Sequence, residues 1–122
     1  MKLVKTDVAI IGAGTAGMVA YSGASKRTGN VILIEGGLYG TTCARVGCMP
    51  SKLLIAAAEA AHVIEEAPGF GVFPGGETRI DGVKVMERVR SERDRFVGFV
   101  LDSIKRMPPE RRLTGHARFL DD

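Results

Sequence analysis

The sequence predicts an α/β fold built on a parallel sheet, and three observations lead to it. Two short apolar runs, Asp7 to Ile11 and Val31 to Ile34, lack polar alternation, the pattern of strands buried on both faces. A glycine-rich turn, Gly12-Ala13-Gly14-Thr15-Ala16-Gly17, follows the first run directly. Between the turn and the second run lies one stretch of helical length, so the order reads strand, turn, helix, strand.

The turn has the Gly-x-Gly-x-x-Gly spacing of a dinucleotide site. Gly12 permits the sharp turn, Gly14 lets the backbone approach a pyrophosphate, and Gly17 allows the helix to pack closely on the strand. The helix is expected from Thr15 to about Arg27, with Gly29-Asn30 as its stop. Its first residues, Thr15 and Ala16, would present N–H groups to the pyrophosphate. Glu35 ends the second strand eighteen residues after Gly17. There the fold places an acid that accepts hydrogen bonds from ribose hydroxyls. The bland alternative is a glycine-rich turn and a surface glutamate.

Both cysteines of the chain fall in Gly40-Thr41-Thr42-Cys43-Ala44-Arg45-Val46-Gly47-Cys48-Met49-Pro50-Ser51-Lys52. Their spacing of five is neither that of a zinc knuckle nor that of a thioredoxin-type pair. Pro50 is tolerated only in the first turn of a helix, so a helix is expected to begin near Cys48. Inside one regular helix the two Cα atoms would be roughly 8.7 Å apart, beyond the ~7 Å that a disulfide bridges. Cys43 is therefore expected in the preceding loop, folded back through Gly47. Cys48, at the helix start, would have its thiolate favoured by the macrodipole, and Lys52 lies one turn on along the same face. The competing description is two unpaired thiols with Lys52 a surface lysine.

The run from Gly40 to Lys52 resembles the redox-active signature of the flavin-dependent disulfide oxidoreductases, a family that includes dihydrolipoamide dehydrogenase, glutathione reductase and mercuric reductase. The family's usual pattern is Gly-Gly-Thr-Cys-x-Asn-x-Gly-Cys-x-Pro-Ser-Lys. Thr41 stands where a second Gly is usual, which bears on the backbone approach to the flavin. Arg45 stands where Asn is usual, on the substrate side, and neither departure removes a redox atom. The resemblance implies a Rossmann-like FAD-binding domain in which Gly12, Gly14, Thr15, Ala16, Gly17, Glu35, Gly36, Gly40, Thr41, Thr42, Cys48 and Lys52 hold FAD. It implies catalysis by a Cys43–Cys48 disulfide, with Cys48 beside the flavin and Cys43, in the more exposed loop, exchanging with a dithiol or disulfide substrate. Lys52 would stabilise negative charge on the reduced ring.

The rest of the chain fits that frame. A helix is expected from Ser51 to about Ala67, with Leu53, Leu54, Ala57, Ala58, Ala61 and Ile64 inward and Glu59, Glu65 and Glu66 outward. His62 on it reads as a satisfied or partly exposed histidine. Gly69 to Gly82 reads as loop. Asp81 then caps a helix to about Arg106, with an apolar stripe of Val83, Met86, Val89, Phe96, Val97, Val100, Leu101 and Ile104. Arg112 to Leu120 reads as a strand. Its Gly115-His116-Ala117 resembles the segment whose backbone, at Gly115 and Ala117, meets the adenine of FAD, with His116 contributing packing or a backbone contact.

Composition narrows the class. The chain has 122 residues, 45% hydrophobic and 25% charged, with a net charge of +3. These charges are interspersed in sign and poor in aromatic neighbours, which speaks against nucleic-acid binding. No window approaches a membrane span and no signal peptide is visible, so the default compartment is the cytoplasm. Two cysteines are too few for a secreted disulfide scaffold.

Family members run to several hundred residues. The resemblance therefore implies that residues 1–122 are the N-terminal part of an FAD-binding domain, lacking the NAD(P)-binding and dimerisation domains of a homodimeric enzyme, closest to dihydrolipoamide dehydrogenase. The substrate stays open: the Glu35–Cys43 spacing matches the glutathione reductase pattern, whereas Pro50-Ser51-Lys52 is more like dihydrolipoamide dehydrogenase. Other readings are a glutathione or mercuric reductase-like enzyme, a non-catalytic dinucleotide-binding module, or an inactive piece that associates through an unpaired sheet edge.

Overall fold

The computed structural model describes residues 3–120. They divide into two compact units, one formed by the residues up to Thr42 together with those from Val97 onward, the other by Cys43–Phe96.

The first unit is a three-stranded parallel sheet. Strand β1 (Val8–Ile11) leads through the glycine turn into helix α1 (Thr15–Ser25) and back to β2 (Val31–Glu35), as the alternation of short apolar runs with one helical stretch requires. Strand β3 (Arg112–Thr114) follows a 3-10 turn over Pro109–Arg111, and the strand order is β1-β2-β3. Val8 pairs with Val31 and Ile11 with Ile34, while Leu33 pairs with Arg112 and Glu35 with Thr114. The core is centred on β2, where Val31, Ile32 and Leu33 are buried together with Ala13 and Ile104.

Two expectations are corrected here. β1 is not buried on both faces: its residues alternate between half-buried and exposed, and Ile11 is 57% exposed. As an edge strand it has a paired neighbour on one side only among the described residues. β3 stops at Thr114 instead of reaching Leu120, because its partner β2 ends at Glu35 and Gly115 leaves the strand region with φ +150°.

The opposite end of this sheet is tied by polar side chains. Thr6 Oγ1 donates to the Asn30 carbonyl at 2.7 Å, and Thr28 Oγ1 donates to the Asp7 carboxylate. Arg111 Nη1 donates to Asn30 Oδ1 at 2.7 Å, so polar side chains link β1, the start of β2 and the approach to β3.

The second unit holds a short helix α2 (Thr42–Val46, from Cys43 on), helix α3 (Cys48–Glu66), a 3-10 turn over Ala67–Phe70, and helix α4 (Gly82–Lys105) as far as Phe96. Asp81 caps α4 as expected, its Oδ1 accepting the N–H groups of Val83 and Lys84 at 3.1 Å. Of the inward set on α3, Leu53, Ala57 and Ala61 are half-buried, whereas Leu54, Ala58 and Ile64 are exposed. A cavity of about 220 Å³ lies beside Leu54, Ala57, Ala58, Ala61, Ile80 and Val85. Alanine side chains are too short to fill it.

On α4, Val89 and Ile104 are buried and Phe96, Val97, Val100 and Leu101 half-buried, but Val83 is 70% exposed in the first turn. Its polar face carries the expected ion pairs, Arg95 with Glu92 and Arg93 with Asp94. His62 pairs with Glu66 at 3.0 Å and remains exposed, a satisfied surface histidine. No helix among the described residues is long and apolar enough to cross a membrane.

Candidate functional site

The glycine turn sits where β1 meets α1. Gly12 has φ +95°, a conformation that excludes most side chains, and its N–H donates to the Ile34 carbonyl at 2.7 Å. A Cβ at Gly17 would collide with the Gly12 carbonyl oxygen and approach the Gly12 carbonyl carbon to 3.0 Å. That glycine is demanded by helix-on-strand packing. Gly14 differs: a Cβ there would meet nothing within 4 Å. The fold leaves open space at Gly14, the N-cap of α1, and no acidic side chain occupies the first turn beyond it. Thr15 and Ala16 are exposed at this positive helix end, a cradle suited to a phosphate anion.

Glu35 is fastened to that turn. Its Oε2 accepts the Ala13 N–H at 2.7 Å and its Oε1 the Gly37 N–H at 2.8 Å. These bonds, Ala13's first, hold its carboxyl below the usual carboxylate range against the opposing effect of burial. Each oxygen keeps a further lone pair, so the carboxylate can accept a ribose hydroxyl from outside. The Glu35 carbonyl accepts the Gly115 N–H at 2.8 Å, which brings the Gly115-His116-Ala117 segment alongside. His116 lies against Gly36, since a Cβ built there would be 2.5 Å from its Nδ1 and 2.7 Å from its Cε1.

The segment after Glu35 carries three unusual features. Gly40 is buried with φ +114°. Thr41, 9% exposed, adopts φ +59°, a left-handed conformation that strains a β-branched residue and suits the glycine usual at this position. The Tyr39 hydroxyl is buried with no hydrogen-bond partner among the described residues.

In the second unit the two thiols meet. Cys43 lies in helix α2, not in a loop as expected, and the helix breaks at Gly47 (φ −121°, ψ −110°) before α3 opens at Cys48. This break replaces the single regular helix that would have held the thiols apart. The expected exposures are also reversed: Cys48 is exposed at the helix start, whereas Cys43 is half-buried next to the buried Ala44. The Cys48 thiol, hydrogen-bonded to Cys43, pushes the Cys43 thiol up, and the Lys52 ammonium opposes that rise. Lys52 itself is exposed in the first turns of α3. Both cysteines are free thiols in this structure.

Sequence reasoning missed two contacts and one enclosed group here: Ala13 on Glu35, His116 on Gly36, and the Tyr39 hydroxyl. The first two join residues 22 and 80 positions apart, for which no local pattern exists. Tyr39 could have been noticed as the one aromatic residue in a glycine-rich segment.

The sequence profile described as pyridine nucleotide-disulphide oxidoreductase matches residues 6–114. A mercuric reductase of Serratia marcescens is 37% identical over 120 residues, covering 95% of this chain and 25% of that protein. A dihydrolipoyl dehydrogenase of Bacillus subtilis (strain 168) is 39% identical over 82 residues, covering 66% of this chain and 18% of its own length. The chain thus spans about a quarter or less of these curated relatives. Among solved structures, the Cu(II) complex of HOCl-induced flavoprotein disulfide reductase RclA from Escherichia coli shares the fold, with TM-score 0.68 and 24% identity over 94% of this chain and 23% of that one. With a profile that runs from before β1 to the end of β3, over a glycine turn, an anchored acid and a paired dithiol, the chain belongs to the pyridine nucleotide-disulphide oxidoreductase family.

Proposed function

We propose that the chain is the N-terminal part of an FAD-dependent dithiol:disulfide oxidoreductase of the dihydrolipoamide dehydrogenase kind. The observation behind it is the contact between the Cys43 and Cys48 thiols across the break at Gly47, eight residues after an acid anchored to a glycine turn. The open cradle at Gly14 and the anchored Glu35 carboxylate fit a dinucleotide. FAD, when bound, supplies a two-electron carrier between a nicotinamide and the dithiol.

The chain's own residues divide the work. Gly12, Gly14, Thr15, Ala16 and Gly17 receive the pyrophosphate, and Glu35 the ribose hydroxyls. Gly36, Gly40, Thr41 and Thr42 give close backbone approach along the cofactor, while Gly115 and Ala117 offer backbone at its adenine end. In the oxidised state a substrate thiolate attacks the half-buried Cys43 Sγ, the more exposed Cys48 being the sulfur that the flavin would cover, so that the Cys43–Cys48 bond breaks and Cys48 leaves as the thiolate. The second substrate thiol then displaces Cys43. The substrate becomes a disulfide, and its two electrons now reside in the protein dithiol. Lys52 offsets the negative charge that accumulates beside the pair.

A homodimeric parent enzyme, NAD(P) bound in a separate domain, and a cytoplasmic setting complete the proposal. A second reading has its own support in the mercuric reductase, 37% identical across 95% of the chain. Two adjacent thiols also suit a soft cation, so a thiophilic metal ion could be the acceptor in place of a disulfide.

The test is a visible spectrum of the purified chain titrated with FAD, before and after addition of a dithiol. The expected result is a bound-flavin spectrum that gains a long-wavelength thiolate-to-flavin band, present in the parent chain and absent in Cys48→Ser. A flavin-loaded chain that shows no such band, or an unchanged band in Cys48→Ser, would overturn the assignment.

A further inference from the structure

Glu35 can bind a ribose only if its carboxylate is held in one orientation, and the structure holds the carboxylate by two backbone N–H groups and the residue's main chain by a third. The Ala13 N–H fixes Oε2, the Gly37 N–H fixes Oε1, and the Gly115 N–H fixes the Glu35 carbonyl at 2.8 Å. The Gly36 peptide between these bonds is the hinge on which the Gly37 bond depends, and it has no side chain with which to pack.

A flat group fills that place. With φ +150° at Gly115 the chain turns out of β3, and the His116 imidazole lies against Gly36, so that a Cβ there would come within 2.5 Å of Nδ1, 2.7 Å of Cε1 and 3.0 Å of Cγ. A side chain at 36 would displace the ring. His116 is otherwise exposed, and it also acts electrostatically on Glu35, helping to keep the carboxyl charged. The sheet ends at this edge, the carboxyl ends of the strands, where open α/β folds bind their ligands.

We propose that His116 is a positioning residue for the adenosine half of the dinucleotide: seated on Gly36, its ring sets the Glu35–Gly37 turn and thereby the carboxylate that receives the ribose hydroxyls. This rests on the reading of the Glu35 end as the dinucleotide's ribose site. It goes beyond that reading by naming a side chain that acts through Glu35 and a glycine that exists to admit it.

The experiment measures FAD affinity by flavin fluorescence for the full-length enzyme that carries this chain and for its His116→Ala, Glu35→Gln and double variants, with thermal midpoints alongside. His116→Ala should weaken FAD about tenfold, a coupling typical of residues that act through one another, and leave the midpoint within a few degrees because the ring is largely exposed. In the Glu35→Gln background the same substitution should change affinity less than about twofold. Gly36→Ala, which keeps the histidine but displaces its ring, should reproduce the affinity loss. Losses that multiply in the double variant, or parental affinity in His116→Ala, would overturn the role of His116 and leave the dinucleotide site standing. A full-length enzyme that takes up no FAD at any concentration would instead overturn the ribose-site reading, and this inference with it.

Discussion

Gly17 and Gly23 lie six residues apart on helix α1, and alanine at the two positions should have opposite effects. At Gly23 a Cβ would meet nothing within 4 Å, so Gly23→Ala gains only the helix-propensity difference, about 0.5–1 kcal/mol. At Gly17 the Cβ would run into the Gly12 carbonyl oxygen, with the Gly12 carbon at 3.0 Å and Ile10 Cγ2 at 3.5 Å. Backbone cannot step aside as a flexible side chain can. Relief requires α1 to lift from β1, an overpacking cost of about 1–3 kcal/mol, and it pulls on the 2.7 Å bond from the Gly12 N–H to the Ile34 carbonyl. For a chain of this length 1 kcal/mol moves the melting midpoint by about 4 °C. Gly23→Ala should therefore melt about 2–4 °C above the parent and Gly17→Ala about 4–12 °C below it. The assay is thermal unfolding followed by far-ultraviolet circular dichroism, without added cofactor. If Gly17→Ala melted at or above the parent, the close approach of α1 to the turn, and the packing reason for that glycine, would be wrong.

Three further outcomes are expected. Glu35 has a carboxyl held below its ordinary value of 4.5, so its stabilising contribution is present at neutral pH and is lost as pH falls through the lower folded value; Glu35→Gln should flatten the acid limb of the stability-against-pH curve, and an unchanged limb would refute the Ala13 and Gly37 bonds as its cause. The Cys43 thiol is raised chiefly by its hydrogen bond with Cys48, so the pH midpoint for its alkylation should fall in Cys48→Ala; a midpoint that stays or climbs would mean the thiols are not in contact. Tyr39→Phe removes a buried hydroxyl that has no partner among the described residues, and should raise the urea midpoint by the equivalent of about 1 kcal/mol with an unchanged slope, whereas a drop would reveal a partner in solution.

Much of the first unit was legible because its signals are local. The apolar runs, the glycine spacing and the acid at Glu35 fall within 29 consecutive residues, and strand, turn, helix and strand appear where their periodicity placed them. Cys48 opens α3 because Pro50 can stand only in a first turn, a rule of backbone geometry that any context obeys. The errors have a common cause. Burial on both faces of β1, an inward Leu54 and Ala58 on α3, and a long β3 each depend on what lies opposite, which periodicity does not report. Cys43 in a helix was missed because the break at Gly47 needs only one residue, so a one-turn helix fits where a loop was expected.

What the sequence by itself determined is the chemical inventory and its order: a glycine-rich turn, an acid, and two thiols with a lysine one turn beyond. Those follow from residue type and near spacing. Tertiary structure alone decided how the acid is held and which thiol is exposed. It placed Ala13 on Glu35 across 22 positions and His116 on Gly36 across 80, and it turned Cys48 outward while half-burying Cys43. The physical reason is that such contacts are set by chain closure and by the shape of the opposing surface, and neither is written in the residues near them in sequence.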